Sequence, residues 1–427
     1  MAKRSQNSGN KSSSSSRSII GTIIAAIILV VAVIAGGLTG VDINDILDIL
    51  GQPTLDLPTT VPPTITTAPP STLPPGVTPA PDDVRVIPVG QGFGAARDFW
   101  QVFFTAPTGS RDPSTYVNGI DVPLAQAINA VQRTLDIAAF EFNNPVLTQA
   151  VLDAHQRGVQ IRMVVDNEHG LHDDNTTITQ FVEAGIPVRD DGRSGLMHNK
   201  FMIMDSREVW TGSTNYTING VYRNNNNMLS LRSNRVVLSY QAEFNEMYED
   251  GSFGPRSPRG NSVSFTERGV PIQTIFTAED DSLEMILSWI NEATTSVRFM
   301  AFSFTERDIA DALIELAENG VSVSGIFERV GSEASWSELT RLFCAGLDAR
   351  QDGNPFILHH KVFIIDNRVV LTGSFNFSEN ATKVNDENMI ILEDPSLAAQ
   401  YTAEFERRWA ESVVPSPDRL DCSTLEE

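Results

Sequence analysis

Cysteine is nearly missing from this 427-residue chain: Cys344 and Cys422 are the only two. Two cysteines cannot build a disulfide framework, which excludes a small stapled scaffold. They can form one bridge if the fold brings them together. Positive charge is also scarce, with 31 Lys and Arg against 54 Asp and Glu and a formal net charge of −23. Lys3, Arg4, Lys11 and Arg17 all precede the first acid, Asp42, so removing those four charges leaves −27 over residues 42–427. A surface of that sign repels phosphate backbones at long range. It excludes a broad basic face for nucleic acid, though not a small basic pocket. What is present is ordinary for a globular protein: 41% hydrophobic and 20% charged residues, in a length that suffices for two compact domains of about 150 residues each.

Residues 1–18 are Ser-rich and basic, without apolar periodicity, and read as a disordered tail on the cytoplasmic side. Ile19 to Val41 carry no charge. At about 1.5 Å per residue this run reaches roughly 34 Å, enough to cross a bilayer. Basic residues before it and acids after it predict a single anchor over 19–41, with the catalytic part outside, as on a bacterial cell surface. A cleaved signal peptide ending near Ala35-Gly36-Gly37 is the competing reading, and it exports the domain too. Residues 42–83 hold a Pro/Thr-rich stretch, PTTVPPTITTAPPSTLPPGVTPAP, that cannot pack a core and reads as an extended stalk.

From Val84 the chain reads as globular, and it repeats itself. LDIAAFEFNNPVLTQAVLDAHQRGVQIRMVVD (135–166) resembles TSVRFMAFSFTERDIADALIELAENGVSVSGIFE (295–328). Each reads as strand, amphipathic helix, turn and β-branched strand, which predicts βαβ units. FVEAGIPVRDDGRSGLMHNKFMIMD (181–205) then matches LFCAGLDARQDGNPFILHHKVFIID (342–366), and the offset of 161 residues at His198/His359 persists to Phe244/Phe405. The expected class is α/β: two repeated α/β/α units, 84–250 and 271–412, with mixed, largely parallel sheets packed about a pseudo-twofold axis. A Gly/Pro/Ser-rich linker (DGSFGPRSPRGN) joins them, and 413–427 reads as a tail.

Inside the repeat sit identical polar patterns: His198-x-Lys200, Asp205 and Gly212-Ser213-x-Asn215 in the first copy, and His359-x-Lys361, Asp366 and Gly373-Ser374-x-Asn376 in the second. The intervening FMIM and VFII read as strands, so His and Lys two apart share a face. Such a set suits an anionic ester. Lysines and asparagines can clamp non-bridging oxygens. One neutral histidine can attack phosphorus, and a second, protonated one can hand a proton to the leaving oxygen. No metal or other cofactor is needed for that chemistry. His360 points to the opposite face from His359 and reads as a bystander. Glu168-His169-Gly-Leu-His172-Asp173-Asp174 looks like a metal cluster but lacks a helical i, i+4 pair, and reads as a loop near the site mouth. Trp210 and Phe375 read as packing.

The paired motifs resemble the phospholipase D superfamily signature, and the resemblance covers roughly 84–412. It implies one site at the interface between the copies, formed within one chain, so that a monomer suffices. It implies a catalytic set of His198, Lys200, Asp205, His359, Lys361 and Asp366, with His198 the nucleophile and His359 the general acid and base. The opposite assignment of the two histidines stays open, because the copies are nearly equivalent. Within that set Asp205 and Asp366 read as architectural. Ser213, Asn215, Ser374, Asn376 and Glu387 are the substrate-binding candidates. Many members carry a Glu about a dozen residues after the Gly-Ser-x-Asn turn that orients a catalytic His. The second copy has Glu387 there and the first has Asn226, which predicts weaker support in the first half. The implied activity is a phospholipase D-type phosphodiesterase cleaving a phospholipid headgroup ester through a phosphohistidine, with hydrolysis or transfer to an alcohol. A nuclease of the same superfamily, with nucleic acid as substrate only, ranks second, and an inactive surface binding module third. Bacterial cardiolipin synthases also resemble the arrangement, but usually carry two N-terminal spans where this chain has one apolar run.

Overall fold

The structure is a computed structural model that describes residues 84–422. The segments read as tail, anchor and stalk therefore lie outside the described residues. No helix among the described residues is long and apolar enough to cross a membrane. The expected membrane-anchored, extracellular placement is corrected accordingly, since it rested on the 19–41 run alone.

Two sheets form among the described residues. The first holds β1 (Arg85–Ile87), β2 (Gly92–Arg97), β3 (Trp100–Thr105), β4 (Thr134–Ala139), β5 (Gln160–Val165), β6 (Val188–Asp190), β7 (Lys200–Met204), β8 (Glu208–Gly212) and β9 (Asn227–Leu231), in the order β1-β2-β3-β9-β8-β7-β4-β5-β6. The second holds β10 (Ser264–Glu267), β11 (Val270–Thr277), β12 (Ser296–Ala301), β13 (Ser322–Phe327), β14 (Asp348–Gln351), β15 (Lys361–Ile365), β16 (Val369–Gly373) and β17 (Glu387–Glu393), in the order β10-β11-β17-β16-β15-β12-β13-β14. The α/β class and the repeated units with mixed sheets are as the sequence predicts. The expected dominance of parallel pairing is corrected. Parallel ladders are confined to β4-β5-β6 and β12-β13-β14, and the other ladders are antiparallel. Two of the antiparallel pairs, β7-β8 and β15-β16, are closed by tight turns. Asp205 and Ser206, like Asp366 and Asn367, hold positive φ of 51–52°, the conformation that folds a strand directly back on itself.

The βαβ crossovers are as predicted. In the first, α1 (Asp121–Ala130) and α2 (Pro145–Gln156) cover the outer face of the sheet. Asn144 caps α2 by accepting from the Val146 and Leu147 amides, with Pro145 at the first helical position, a pairing worth about 1 kcal/mol. Leu147, Ala150, Val151 and Ala154 recur at helical spacing and are buried. In the second unit α7 (Arg307–Glu318) plays the same part; α3 (Ile178–Glu183), α4 (Ile218–Tyr222), α5 (Asn234–Asn245), α6 (Ser282–Ile290), α8 (Leu339–Cys344), α9 (Glu379–Lys383) and α10 (Pro395–Glu411) complete the α-helices among the described residues. The α7 stripe of Ile309, Ala310, Leu313 and Leu316 is buried likewise.

A third apolar cluster is shared by both halves. It joins Phe201, Ile203, Leu229, Tyr240 and Phe244 to Phe276, Met300, Ile364, Ile390, Tyr401 and Phe405. Its helices, α5 and α10, each reach the opposite sheet. The Tyr240 hydroxyl donates to Asn388 Oδ1 at 3.0 Å, and Tyr401, its repeat mate, donates to Asn227 Oδ1 at 3.1 Å. Residues 413–422, expected within a tail, are stitched to the second half. Val413 pairs with Gln351, and Cys422 is disulfide-bonded to Cys344 at a Cα separation of 5.6 Å.

Candidate active site

The two motif strands enter the site by crossing the seam. The His198 amide donates to the Asp386 carbonyl at 2.9 Å and the Asp386 amide to the Leu196 carbonyl at 2.8 Å. The twofold mates do the same: His359 N to Asn225 O at 2.9 Å, and Asn225 N to Ile357 O at 2.8 Å. Each histidine is thus registered against the residue that precedes position 226 or 387 of the other half. Asp166 Oδ2 accepts from Met197 N at 3.1 Å, and Glu328 Oε2 accepts from Leu358 N at 2.6 Å, which fixes each strand just before its histidine. Sequence reasoning missed these two acids, although each ends its repeat segment.

The supports are crossed. His198 Nδ1 lies 2.7 Å from Glu387 Oε2, and His359 Nδ1 lies 2.9 Å from Asn226 Oδ1 and 3.0 Å from the Ser213 carbonyl. The expectation that Asn226 weakens the first half is therefore corrected. The absent carboxylate is felt by His359, and His198 keeps its acid because the second half supplies it. Glu387, expected to bind substrate, instead bonds the histidine. Asn226 is held by the Ser213 hydroxyl at 2.8 Å and donates to the Gly220 carbonyl at 2.9 Å.

Lys200 and Lys361 are buried at 1% and 0% exposure. Each ammonium donates to the carbonyl of its own motif histidine, at 2.6 and 2.9 Å, and sits over a ring, Phe140 at 4.8 Å and Phe302 at 4.6 Å. The same rings pack against His198 and His359 at 4.7 and 4.9 Å. Burial pushes Lys200 down to about 7, against the pull of Glu387, Glu141 and Asp166, and drives Lys361 well below the usual range. Burial, with the lysine charges adding to it, holds both histidines well below theirs. Burial raises Glu387 to about 8 against the Lys200 charge. A nearby anion favours the protonated forms of the two lysines and two imidazoles in a pocket this dry.

Both Gly-Ser-x-Asn turns pack against the following strand of their own sheet. A Cβ on Gly212 would meet the Asn227 carbonyl oxygen at 2.4 Å, and one on Gly373 the Asn388 carbonyl oxygen at 2.2 Å. Ser213 and Ser374 accept the Asn227 and Asn388 amides at 3.1 and 3.0 Å, so both brace the turn against the next strand. Asn215 and Asn376 each leave a side-chain oxygen buried without a partner. Asn215 Nδ2 donates to Glu141 Oε2 at 2.7 Å, and burial raises Glu141 to about 7. Sequence reasoning did not single out Glu141; its only signal is an acid closing the apolar run of β4.

Asp205 and Asp366 are not brought to the pocket. They lie at the far ends of β7 and β15. Asp205 accepts from the amides of Gln132, Arg133 and Thr134; Asp366 accepts from those of Thr294, Thr295 and Ser296 and from two threonine hydroxyls. His360 is wholly buried between Asn227 at 3.1 Å and Glu404 at 3.2 Å. Asn167–Leu171 forms a turn of π helix, and its His169 ring lies 4.8 Å from Phe140, beside the pocket. Trp210 stacks on Phe103 at 5.4 Å, and Phe375 is fully buried.

The sequence family described as "Cardiolipin synthase, PLD-like domain" matches residues 124–248 and 286–409, together more than half the chain. A mitochondrial cardiolipin hydrolase of Chlamydomonas reinhardtii is 35% identical over 128 residues, 30% of this chain and 57% of that protein. The chain thus spans little more than half the length of this relative. A phospholipase D of Rickettsia prowazekii (strain Madrid E) is 33% identical over 173 residues, 40% of this chain and 84% of that protein. The crystal structure of phosphatidylserine synthase from Haemophilus influenzae Rd KW20 covers 69% of this chain and 85% of its own at a TM-score of 0.56 and 13% identity, a likeness of fold.

Proposed function

The chain belongs to the phospholipase D superfamily, and from that premise we propose that it is a phospholipase D-type phosphodiesterase that cleaves a phospholipid headgroup ester through a phosphohistidine on His198. The observation that carries this reading is the 2.7 Å contact between His198 Nδ1 and Glu387 Oε2 in the pocket that holds both lysines. A carboxylate on Nδ1–H leaves the Nε2 lone pair free to attack, and it neutralises the ring as the phosphorus–nitrogen bond forms. The ammoniums of Lys200 and Lys361 and the amides of Asn215 and Asn376 hold the non-bridging oxygens. His359 gives its proton to the departing headgroup oxygen as the phosphorus–oxygen bond breaks. It then takes a proton from water or an alcohol, whose oxygen attacks phosphorus and frees His198. Asn226 suits that alternation, because a neutral acceptor holds Nδ1–H in both protonation states. One chain carries both halves of the site, so a monomer is sufficient.

The test offers the full chain mixed phospholipid vesicles with ethanol, and separately linear DNA. Phosphatidylethanol and free headgroup, absent with His198→Ala and with His359→Ala, are expected. DNA cleavage with untouched lipid would replace the lipid reading by a nuclease. No activity on either from folded protein would favour a binding module.

A further inference from the structure

We propose that Glu243, Glu246 and Glu279 form a calcium site in the seam between the two halves, apart from the histidine pocket. One carboxylate oxygen from each lies within 4.8 Å of the others. The residues are only 0%, 7% and 3% exposed. Both oxygens of Glu279 and one each of Glu243 and Glu246 have no hydrogen-bond partner, and the other two share the Asn261 amide at 3.2 and 2.6 Å. Three buried acids so placed are strongly unfavourable without a counter-charge.

The repeat supplies an internal control. Glu243 corresponds to Glu404, which is also fully buried. Glu404 pairs with Arg407 at 2.8 Å, Arg408 at 3.2 Å and His360 at 3.2 Å. In the first half the positions of those three partners hold Glu246, Met247 and Asn199. An acid, a thioether and an amide stand where two guanidiniums and an imidazole stand in the other copy. Burial acts against charge on Glu404, yet His360 and the arginines hold it below its ordinary value, whereas burial and neighbouring acids raise Glu243 well above. The nearby Asp386 does not share this need, because Arg193 and the Gly254 amide bind it. Asp280 accepts from the Gly260 and Ser262 amides at 3.1 and 3.2 Å.

An all-carboxylate, dry site suits calcium, which takes oxygen ligands at about 2.3–2.6 Å and tolerates irregular geometry. Oxygens up to 4.8 Å apart are spaced to face each other across such an ion. A cleft of about 820 Å³ is lined by Ala278 and Asp280, the chain neighbours of Glu279. Glu243 lies on α5 of the first half, and Glu279 follows β11 of the second. The ion would therefore pin one half to the other beside Asp386, the neighbour of Glu387.

The full chain, stripped with EGTA and dialysed, is titrated with calcium chloride by calorimetry and by thermal melting. One ion per chain and a melting midpoint raised by roughly 5 °C are expected. Glu279→Gln should lose both. Glu246→Arg combined with Met247→Arg gives the first half the cations of the second; this variant should take up no calcium and melt at one temperature with or without EGTA. The proposal is overturned if the wild-type chain takes up no calcium, or if either variant binds it as the wild type does.

Discussion

The two halves match in sequence and in fold, yet their histidines are backed differently. His198 has a carboxylate at 2.7 Å and His359 a neutral amide oxygen at 2.9 Å, each supplied by the opposite half. Behind the site the contrast runs the other way: Glu404 is surrounded by cationic side chains and Glu243 by acids. Duplication supplies symmetrical positions, and single substitutions at those positions set unequal tasks. A histidine that becomes phosphorylated gains from a fixed anion on its far nitrogen. One that must release its proton gains from the lack of it.

The largest expected effect would break the comparison outright. Both His198→Ala and His359→Ala should lose about 10⁴-fold or more in kcat on phospholipid. With an ester whose leaving group needs no proton, His359→Ala alone should accumulate an acid-labile phosphoprotein, detectable by mass spectrometry. Phosphate trapped on His359 in a His198→Ala variant would reverse the assignment. Next, Glu387→Gln should cost roughly 10²- to 10³-fold in kcat with KM little changed. A fall in binding alone would mean that Glu387 touches substrate instead. A subtler change equalises the halves. Asn226→Asp places a carboxylate behind His359, which favours its protonated form. The alkaline limb of the pH–rate profile should then move up by about one unit, and a downward move would contradict the role of general acid.

The smallest effect on catalysis comes from the turn aspartates. Burial works against charge on Asp366, but hydrogen bonds from Ser296, Thr294 and Thr295 outweigh it and hold the carboxyl well below its ordinary value. A depressed carboxyl contributes stability that is complete above about pH 4 and is lost as pH falls. Asp366→Ala should cost about 3 kcal/mol and flatten the acid limb of unfolding. Asp205→Ala, which lacks the threonine hydroxyls, should cost about 2 kcal/mol. Neither should change kcat/KM by more than about 2-fold.

The motif residues and the repeat were legible because residue type and spacing survive in one dimension. Strand direction was not, since a continuous apolar run such as FMIM or VFII reads the same in parallel and antiparallel neighbours. The signal that did exist was the pair Asp205-Ser206 and Asp366-Asn367, residue types that accept positive φ. The crossing of Glu387 and Asn226 was invisible because alignment of the copies pairs each residue with its own half. Only the seam register, Met197 against Asp386 and Leu358 against Asn225, carries them across. Glu141 had neither a motif nor a repeat mate of its own kind: the second copy holds Ser303 where β12 ends.

The crossed supports also bear on how such a chain can change over generations. A mutation at position 226 is judged by a histidine 133 residues away, and one at 387 by a histidine 189 residues away. Neither copy can be swapped for a relative's copy without bringing its partner's requirements along. A first-half homodimer would present two amide-backed histidines and a second-half homodimer two carboxylate-backed ones. Only the fused pair offers one of each, so selection acts on the two copies as a single inherited unit.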